Sequence, residues 1–436
     1  MSQVFVLDTE KRSQDPMHPG RARLLLKEGK AAVFRRYPFT IILKAAKPDA
    51  QPAPLRVKVD PGSRASGLAV VDDATGAVVW AAAIAHRGQQ VHLDMLARAA
   101  VRKGRRRRKT RYRPARFNNR TRPEGWLAPS LESRVANITT WVARLMRFAP
   151  IGAVSMELVR FDTQKLQDPE ISGVKYQQGD LEGYEVREYL LEKWGRECAY
   201  CGVRDVPLQV EHIVLRARHG SNRVSNLTIA CEPCNKRKGT MTAAEFGFPH
   251  IQARAKEPLH DAAAVNTTRF ALYRRLCAPG LPVETGSGGM TKWNRCRRGL
   301  PKTHWLDAAC VGQSTPEVLR VAGVRPLLIM AMGHGTRKMC NTNGVGFPIS
   351  HRTRRRSFLG WRTGDIVQAV IPKGKYAGTY TGRIAIRQKK SFKLRGFDVH
   401  PKYLRLVQRV DGYTYALGPA PSHDTHETKE PHSPAA

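Results

Sequence analysis

The chain has 436 residues, enough for several domains, and 41% of them are hydrophobic, which excludes a disordered protein. Lysine and arginine total 74 against 36 aspartates and glutamates, and the net charge of +38 indicates a polyanionic partner. A basic protein of the ribosomal type is the alternative, but such proteins are usually short and carry no nuclease-like motif.

The N-terminus and the cysteines predict the compartment. No apolar run approaches the roughly 18 residues of a membrane helix. The start MSQVFVLD is typical of a strand and lacks the basic segment of a secretory signal. Four of the eight cysteines fall in CxxC pairs, which favours bound metal in a reducing compartment over disulfides. We therefore expect a cytoplasmic protein with no membrane partner.

Residues 1–52 are predicted to form a small basic N-terminal module. Arg21–Lys30 has helical spacing with Gly29 as its stop signal, and Val33 and Phe39–Leu43 indicate strands. A proline-containing linker ends this module.

Residues 53–85 are predicted to begin a sheet. Leu55–Asp60 alternates in polarity and ends at an acid before a Pro-Gly turn, and Ser66–Val71 and Ala77–Ala82 continue as strands. The predicted arrangement is a series of hairpins with an aspartate at the end of the first strand.

Residues 86–122 are predicted to form one long basic helix. No acid occurs between Val101 and Arg122, and arginine and lysine have good helix propensity. Little apolar periodicity is present, so a solvated helix lying along phosphates fits better than a core helix. A disordered basic tail is the alternative, and the position between two folded segments argues against it. The candidate nucleic-acid-binding residues are Arg102, Lys103, Arg105, Arg106, Arg107, Arg108, Lys109, Arg111, Arg113, Arg116, Arg120 and Arg122.

Residues 123–180 continue the sheet domain with a helix and a strand. Ser130 is a candidate N-cap, and Pro150 ends the helix. Ile151–Leu158 then has the composition of a buried strand and carries Glu157 near its end. The apolar face of the helix comprises Leu131, Val135, Ile138, Val142, Leu145 and Ala149.

Residues 185–248 contain two CxxC pairs, at a separation that suits tetrahedral zinc. The four predicted zinc ligands are Cys198, Cys201, Cys231 and Cys234. We expect the zinc to be structural and to staple a small module that lacks a hydrophobic core of its own. A plain zinc ribbon is the alternative interpretation.

A His-centred segment lies inside this cysteine frame. His212 can deprotonate a water molecule near neutral pH, and Glu211 and Asn235 can supply oxygen ligands to a hard divalent ion such as magnesium. Asn226 is expected to orient the histidine-bearing loop. A Glu-His pair and two asparagines within a zinc frame resemble an HNH nuclease with a ββα-metal fold.

Residues 249–334 are predicted to complete the sheet domain. The Gly- and Arg-rich stretch Thr285–Leu300 is expected to be a loop, whereas His304 and Asp307 share one face of a short helix and Val324–Met332 forms a core strand. Residues 335–415 are strand-rich and glycine-punctuated, which fits a small barrel or sandwich, and residues 416–436 are predicted to be disordered.

Four dispersed residues form a second candidate site: Asp60, Glu157, His304 and Asp307. Several such groups can bind two metal ions about 4 Å apart for in-line attack on a phosphodiester. Each acid alone is also explained as a turn, cap or solvated helix residue. The order strand-Asp, strand-Glu, helix-Asp is that of the RNase H fold.

Short motifs follow one another along nearly the whole chain. They are Asp15–Pro19, Leu24–Lys30, Pro38–Thr40, Val59–Gly62, Arg116–Arg120, Arg122–Trp126, Met156–Leu158 and Gly299–Lys302 with His304 and Asp307. Their content and order resemble the IscB family of transposon-encoded, RNA-guided nucleases, which is related to the CRISPR effectors with two nuclease domains. Two departures are Met17-His18 in the N-terminal motif and Glu211 where many HNH sites carry aspartate.

The resemblance implies an α/β multidomain protein. Its parts would be a split RNase H-like (RuvC) core, an inserted ββα-metal HNH domain, a basic bridge helix and a C-terminal domain resembling a small β-barrel, which helps to read a target-adjacent motif. The HNH site would cut the strand paired to a guide RNA, and the RuvC-like site would cut the displaced strand.

The resemblance also implies cofactors and partners. It implies one Mg²⁺ in the HNH site, bound by Glu211 and Asn235, and a two-metal RuvC-like site formed by Asp60, Glu157 and Asp307, with structural Zn²⁺ in the cysteine cluster. The partners would be a transposon-encoded guide RNA of the omega type and double-stranded target DNA. We expect a monomeric ribonucleoprotein in a prokaryotic cytoplasm, associated with the nucleoid when bound to DNA. The alternatives are a protein-only HNH endonuclease and a non-catalytic nucleic-acid binder.

Overall fold

The computed structural model describes residues 2–107, 125–158, 184–204, 206–221, 223–257, 262–333, 339–345, 347–351, 356–387 and 391–421. The helices of these segments are α1 (Pro19–Lys27), α2 (Gly88–Arg107), α3 (Pro129–Phe148), α4 (Tyr184–Lys193), α5 (Glu232–Lys238), α6 (Pro249–Lys256), α7 (Ala262–Cys277), α8 (Gly288–Arg297) and α9 (His304–Ala309). Among the described residues, no helix combines the length and the apolar character needed to cross a membrane.

The strands are numbered in chain order. They are β1 (Val4–Leu7), β2 (Ser13–Met17), β3 (Ala31–Arg35), β4 (Thr40–Leu43), β5 (Leu55–Asp60), β6 (Ala65–Val71), β7 (Val78–Ala85), β8 (Ile151–Glu157), β9 (Leu208–His212), β10 (Leu227–Cys231), β11 (Val283–Gly286), β12 (Leu327–Ala331), β13 (Cys340–Thr342), β14 (Pro348–His351), β15 (Ser357–Phe358), β16 (Trp361–Arg362), β17 (Ile366–Ile371), β18 (Gly378–Ala385), β19 (Phe392–Leu394), β20 (Phe397–Val399), β21 (Leu404–Gln408) and β22 (Tyr413–Leu417).

A seven-stranded sheet with the order β11-β8-β5-β6-β7-β12-β22 lies at the centre of the molecule. Strands β5, β6 and β7 form an antiparallel meander. Strands β8 and β11 extend the sheet in parallel on the β5 side, whereas β12 runs parallel to β7. Although β8 and β11 are neighbours in the sheet, residues 158–282 separate them in sequence. The cysteine-framed module is therefore an insertion between two adjacent strands.

Both faces of the central sheet are covered. On one face, α3 and α7 contribute Trp141 and Leu272 to a large core with residues of β5 and β8. On the other face, Trp305 and Leu306 of α9 pack against β6 and β7. Gly67 permits this contact, because a Cβ atom there would lie 1.7 Å from the carbonyl oxygen of His304. The start of α9 is thereby held against the strand that pairs with the end of β5.

Two predictions of local structure near this sheet are wrong. Ser130 does not cap α3, because Pro129 takes the first helical position and Ala128 is the N-cap. The stretch Thr285–Leu300 is not a loop throughout, since it contains α8. Ser287 caps α8 by accepting the backbone N–H of Met290. The buried residues of α8 follow one another at intervals of three, although the helix begins with two glycines. The predicted apolar face of α3 is confirmed, with Val135, Ile138, Val142 and Leu145 buried.

The cysteine-framed module has a hydrophobic core of its own, so the prediction that it lacks one is wrong. Leu190 and Trp194, Ile229 of β10 and Ile251 of α6 are all buried in this core. Helix α6 therefore packs within the module, and the module continues past the predicted boundary at residue 248. Strands β9 and β10 pair antiparallel and α5 follows directly, which is a ββα arrangement.

Smaller sheets lie towards the two ends of the chain. The N-terminal sheet has the order β2-β1-β4-β3, and Phe5 and Leu7 of β1 enter the central core. A five-stranded sheet, β20-β19-β18-β17-β21, forms the predicted strand-rich C-terminal region. Strand β22 returns to pair with β12, so residues 416 and 417, predicted to be disordered, lie in the central sheet. Residues 422–436 lie outside the described segments.

The basic helix is confirmed over Gly88–Arg107, where α2 is exposed along most of its length. Over this part the alternative of a disordered tail is wrong. The basic residues of the prediction that follow Arg107, from Arg108 to Arg122, lie outside the described residues.

Candidate functional site

The second predicted constellation converges at one end of the central sheet. Val59 pairs with Met156 across the parallel strands β5 and β8, so Asp60 and Glu157 follow at the same end of neighbouring strands. Asp307 is delivered by α9. The start of α8 also lies here, because a Cβ atom on Gly288 would be 3.3 Å from Oε1 of Glu157.

The electrostatics of these acids support their proximity. Burial raises the pKa of Asp60 well above its ordinary value, and the charges of Glu157 and Asp307 raise it further. Burial also raises the pKa of Asp307, although Arg295 opposes this shift. Like charges affect one another's pKa in this way only when they are close. The structure therefore brings Asp60, Glu157 and Asp307 into one neighbourhood.

Two arginines that no sequence motif marks, Arg269 and Arg295, contact these carboxylates. Arg269 Nη2 lies 3.3 Å from Glu157 Oε1 and 3.3 Å from the carbonyl oxygen of Pro61. Arg295 Nε lies 2.8 Å from Asp307 Oδ1. Arg295 lies on α8, which the sequence predicts to be a loop, so no helical spacing related Arg295 to its neighbours. No sequence pattern marked Arg269.

His304 is the first residue of α9 and is exposed. Its positive charge lowers the pKa of Asp307, three residues later on the helix. An imidazole therefore lies at the exposed start of the helix that carries Asp307. Its predicted catalytic role stays a prediction.

The three acids could bind a hard cation. Their negative charges lie close together in a partly buried place, and the neighbouring arginines offset those charges only in part. Carboxylate oxygens are the ligands that magnesium prefers. Among the described residues, the cysteine cluster is the group of three or more close ligands that could hold a single metal ion, and the three acids do not form such a group. Carboxylates at a phosphodiester-cleaving centre can instead bind two ions about 4 Å apart.

The four predicted zinc ligands come together at the base of the ββα element. The sulfur atoms of Cys198, Cys201, Cys231 and Cys234 lie within 4.8 Å of one another, and all four thiols are free. Burial opposes ionisation of Cys198, but backbone hydrogen bonds from Cys201, Cys231 and Tyr200 outweigh it and lower its pKa to about 7. Burial raises the pKa of the Cys231 and Cys234 thiols, and a bound cation would favour the thiolate form that binds zinc. This cluster could therefore hold a zinc ion.

Glu211 occupies an unexpected environment. Its side chain is 5% exposed, and it forms an ion pair with Lys238, whose side chain is 0% exposed. Its other carboxylate oxygen accepts a hydrogen bond of 2.6 Å from the hydroxyl of Tyr200. Lys238 Nζ also donates to the carbonyl oxygen of His212, at 2.9 Å. Both oxygens of Glu211 thus have protein donors, so this arrangement does not fit metal binding by Glu211.

The asparagines of the module have different contacts. Asn226 accepts from the backbone N–H of Val214 at 3.0 Å and donates to the carbonyls of Val214 and Ser221, each at 2.8 Å. These contacts agree with the predicted role of orienting the loop after His212. Asn235 donates its amide to Gln209 Oε1 at 2.7 Å, on the exposed side of α5 and β9. Lys238, at i+3 from Asn235, was missed because its partner lies on a strand.

Two protein families match parts of the chain, and one of them covers the cysteine-framed module. The sequence matches the family described as "RRXRR protein" over residues 4–179 and the family described as "HNH endonuclease" over residues 198–250. No curated protein sequence matches the chain.

Similar solved structures include Cas9 proteins. The type II-C Cas9 enzyme from Actinomyces naeslundii is 20% identical, with 39% of this chain and 24% of that chain covered and a TM-score of 0.15. Streptococcus thermophilus Cas9 in complex with the AGGA PAM is 12% identical over 59% of this chain and 32% of that chain, with a TM-score of 0.21. The chain thus spans about a quarter to a third of their lengths.

The HNH endonuclease match covers the four cysteines and the ββα element that carries Glu211, His212 and Asn235. The sequence motif, the local fold and the family match agree on this module. Residues 198–250 of the chain therefore form an HNH endonuclease domain.

Proposed function

We propose that the chain is an RNA-guided endonuclease that cuts both strands of duplex DNA. The observation that carries this proposal is the convergence of Asp60, Glu157 and Asp307, in which the charges of Glu157 and Asp307 raise the pKa of the buried Asp60, in a chain that also carries an HNH domain. Two separate centres suit two separated strands. The HNH centre would cut the strand paired to the guide, and the second centre would cut the displaced strand.

An RNase H-like core fits the central sheet. An antiparallel meander extended by two parallel strands places Asp60 and Glu157 on adjacent strand ends. Segments 53–85, 123–180 and 249–334 without α6, which packs within the HNH domain, would form this split core, and β22 would complete its sheet. When bound by these acids, magnesium would supply charge stabilisation to the phosphoryl oxygens. His304 lies at the exposed start of α9, where it can take a proton from the attacking water, as His212 can in the HNH domain.

A guide RNA fits the charge of the molecule. The excess of 38 positive charges is more than one nuclease site requires, and the exposed helix α2 presents a row of basic side chains. Phosphate contacts bind a duplex without reading its bases, so base pairing with a guide would supply the sequence specificity. The partners would be a transposon-encoded guide RNA and target DNA, bound by a monomer whose C-terminal strands help to read a target-adjacent motif.

The first test identifies the RNA. The chain is purified from cells that also express its native flanking sequence, the RNA that co-purifies is sequenced, and plasmids that match it with randomised flanks are offered as substrate. Cleavage that depends on this RNA supports the proposal. Equal cleavage by RNA-free protein would instead support a protein-only HNH endonuclease.

The second test assigns the strands. We expect Asp60→Ala and His212→Ala each to convert double-strand cleavage into nicking, on opposite strands. For His212→Ala, loss of the general base should cost about a hundredfold to ten-thousandfold in the rate of the HNH cut. Denaturing gels with a different dye on each strand measure this result, and EDTA followed by magnesium addition tests metal dependence. Nicking of the same strand by both variants would overturn the division of labour.

A further inference from the structure

A chain of hydrogen-bonded side chains lies behind the turn that follows Asp60. Tyr413 donates its hydroxyl to Asn137 Oδ1 at 3.1 Å, and Asn137 Nδ2 lies 3.3 Å from His86 Nδ1. His86 Nε2 lies 2.8 Å from Ser66 Oγ, which accepts the backbone N–H of Gly62 at 3.1 Å. Gly62 is two residues after Asp60, so this series of hydrogen bonds ends at the backbone of the turn beside the second centre.

The hydrogen bond that the Tyr413 hydroxyl donates to Asn137 Oδ1 determines the donors and acceptors of the side chains that follow. Because Tyr413 donates to Asn137 Oδ1, the amide nitrogen of Asn137 faces His86 and donates to Nδ1. The neutral imidazole then carries its proton on Nε2 and donates to Ser66. Burial, followed by the charges of Arg134 and His304, lowers the pKa of His86 to about 4, which keeps the ring neutral. The bonds thus run from Tyr413 to Ser66, and Ser66 also accepts the backbone N–H of Gly62 in the turn.

The same histidine adjoins the start of the basic helix α2. The backbone N–H of His86 donates to the carbonyl of Arg64 at 2.8 Å, which ties it to the other side of the turn. Arg87 Nη1 donates to the carbonyl of Met332 at 2.9 Å. Gly88 is buried against α3, where a Cβ atom would meet the carbonyl oxygen of Ser130 at 2.8 Å. The start of α2 is therefore fixed relative to the turn after Asp60.

We propose that His86 is a positioning residue, which holds the turn after Asp60 in register with the start of the basic helix through Ser66 and Asn137. This inference rests on the proposed function, because Asp60 is taken to act in cutting the displaced strand. A misplacement of about 1 Å at a catalytic group can cost about a hundredfold in rate. Loss of these hydrogen bonds should therefore slow the cut of the displaced strand and leave the other cut unchanged.

The experiment uses the ribonucleoprotein with its co-purifying RNA and a matched duplex that carries a different dye on each strand. His86→Leu keeps bulk but removes both ring nitrogens, whereas His86→Gln offers an acceptor to Asn137 and a donor to Ser66. We expect His86→Leu to slow the displaced-strand cut tenfold to about a hundredfold in single turnover, with the other strand cut at the normal rate. His86→Gln should recover most of the loss. His92→Leu, an exposed histidine on the same helix, is the matched control and should change neither rate.

Several results would overturn the positioning role. They are normal rates for both strands in His86→Leu, an equal loss on both strands, or a His86→Gln rate no better than that of His86→Leu. If His86→Leu does not fold, Ser66→Ala removes a single hydroxyl and should show the same selective loss on a smaller scale. Asp60→Ala in the same assay separates the two proposals. If it leaves the displaced strand cut, both fall, whereas if it abolishes that cut while His86→Leu has no effect, only the positioning role falls.

Discussion

The HNH domain and the end of the central sheet hold their acids in opposite electrostatic surroundings. Glu211 is buried with Lys238 as its counter-ion and Tyr200 as a second donor. Asp60 has two further carboxylates as neighbours, and Arg269 and Arg196 offset their effect only in part. One acid is thus neutralised within the fold, whereas the other retains an uncompensated charge that a cation can satisfy.

The two regions also differ in how they are assembled. The HNH site is made within one short stretch of chain, which two cysteine pairs and its own core hold together. The acids of the second centre come from residues 60, 157 and 307 and meet only when the sheet has formed. A self-contained module and a long-range site should therefore respond differently to the same perturbation.

The largest expected difference follows loss of a zinc ligand. Structural zinc contributes about 10 kcal/mol or more to the folding of small zinc-finger peptides. Because this domain has its own core, we expect Cys231→Ser to cost less than that but still to remove protection from β9, β10 and α5. Hydrogen exchange read by mass spectrometry, with the zinc content of each protein, measures this effect. The central sheet should keep its protection, and Cys277→Ser, an exposed cysteine outside the cluster, should change nothing. Equal loss of protection in both regions would contradict separate assembly.

Removal of the Lys238 ammonium should destabilise the HNH domain next most strongly. Breaking a buried ion pair from one side costs about 3–5 kcal/mol, because the remaining charge is buried and unpaired. We expect Lys238→Met to lower the free energy of unfolding by that order, as measured by urea denaturation.

Two companion proteins sharpen this result. Lys236→Met alters an exposed lysine on the same helix and should leave stability unchanged. Lys238→Met with Glu211→Gln should recover part of the loss, because the unpaired charge is gone. A Lys238→Met protein of normal stability would mean that Glu211 finds another cation. Tighter Mn²⁺ binding to that protein would show that the ammonium competes with metal for Glu211.

Neutralising Asp60 should raise the stability of the protein, whereas removing the Lys238 charge should lower it. An acid whose pKa is raised by folding binds its proton more tightly when folded, so stability falls as pH rises from about 4, the ordinary aspartate pKa, towards the raised value. At neutral pH, without magnesium and with zinc retained, we expect Asp60→Asn to unfold a few degrees higher than the parent protein. Thermal denaturation across pH measures this difference, which should shrink in acid. The control is Asp49→Asn, at an exposed aspartate. A lower unfolding temperature for Asp60→Asn would mean that its charge is well compensated.

Local patterns predicted much of what positions these sites. The alternation of Leu55–Asp60 and the helical spacing of His304 and Asp307 are both confirmed, because each depends on near neighbours in the chain. Helix α8 was missed because its glycines mask a helical period, and Arg295 was missed with it. The Glu211–Lys238 pair joins a strand to a helix across a core, so no spacing along the sequence encodes it. The contacts that no sequence pattern predicted depend on packing between segments that are distant in the chain.

The smallest effect is expected from single phosphate contacts on α2. Each lost contact should reduce the slope of log affinity against log salt by about 0.7 to 0.9, with little effect on sequence preference. Arg102→Gln with Arg106→Gln removes two exposed charges from one helical face and should lower the slope for the co-purifying RNA by about twice that amount. Filter binding over a range of sodium chloride concentrations measures this change. Arg204→Gln, on the surface of the HNH domain and paired with Glu197, is the control. An unchanged slope in the double variant would mean that α2 does not lie along phosphates, and the excess positive charge would then have to act from another surface.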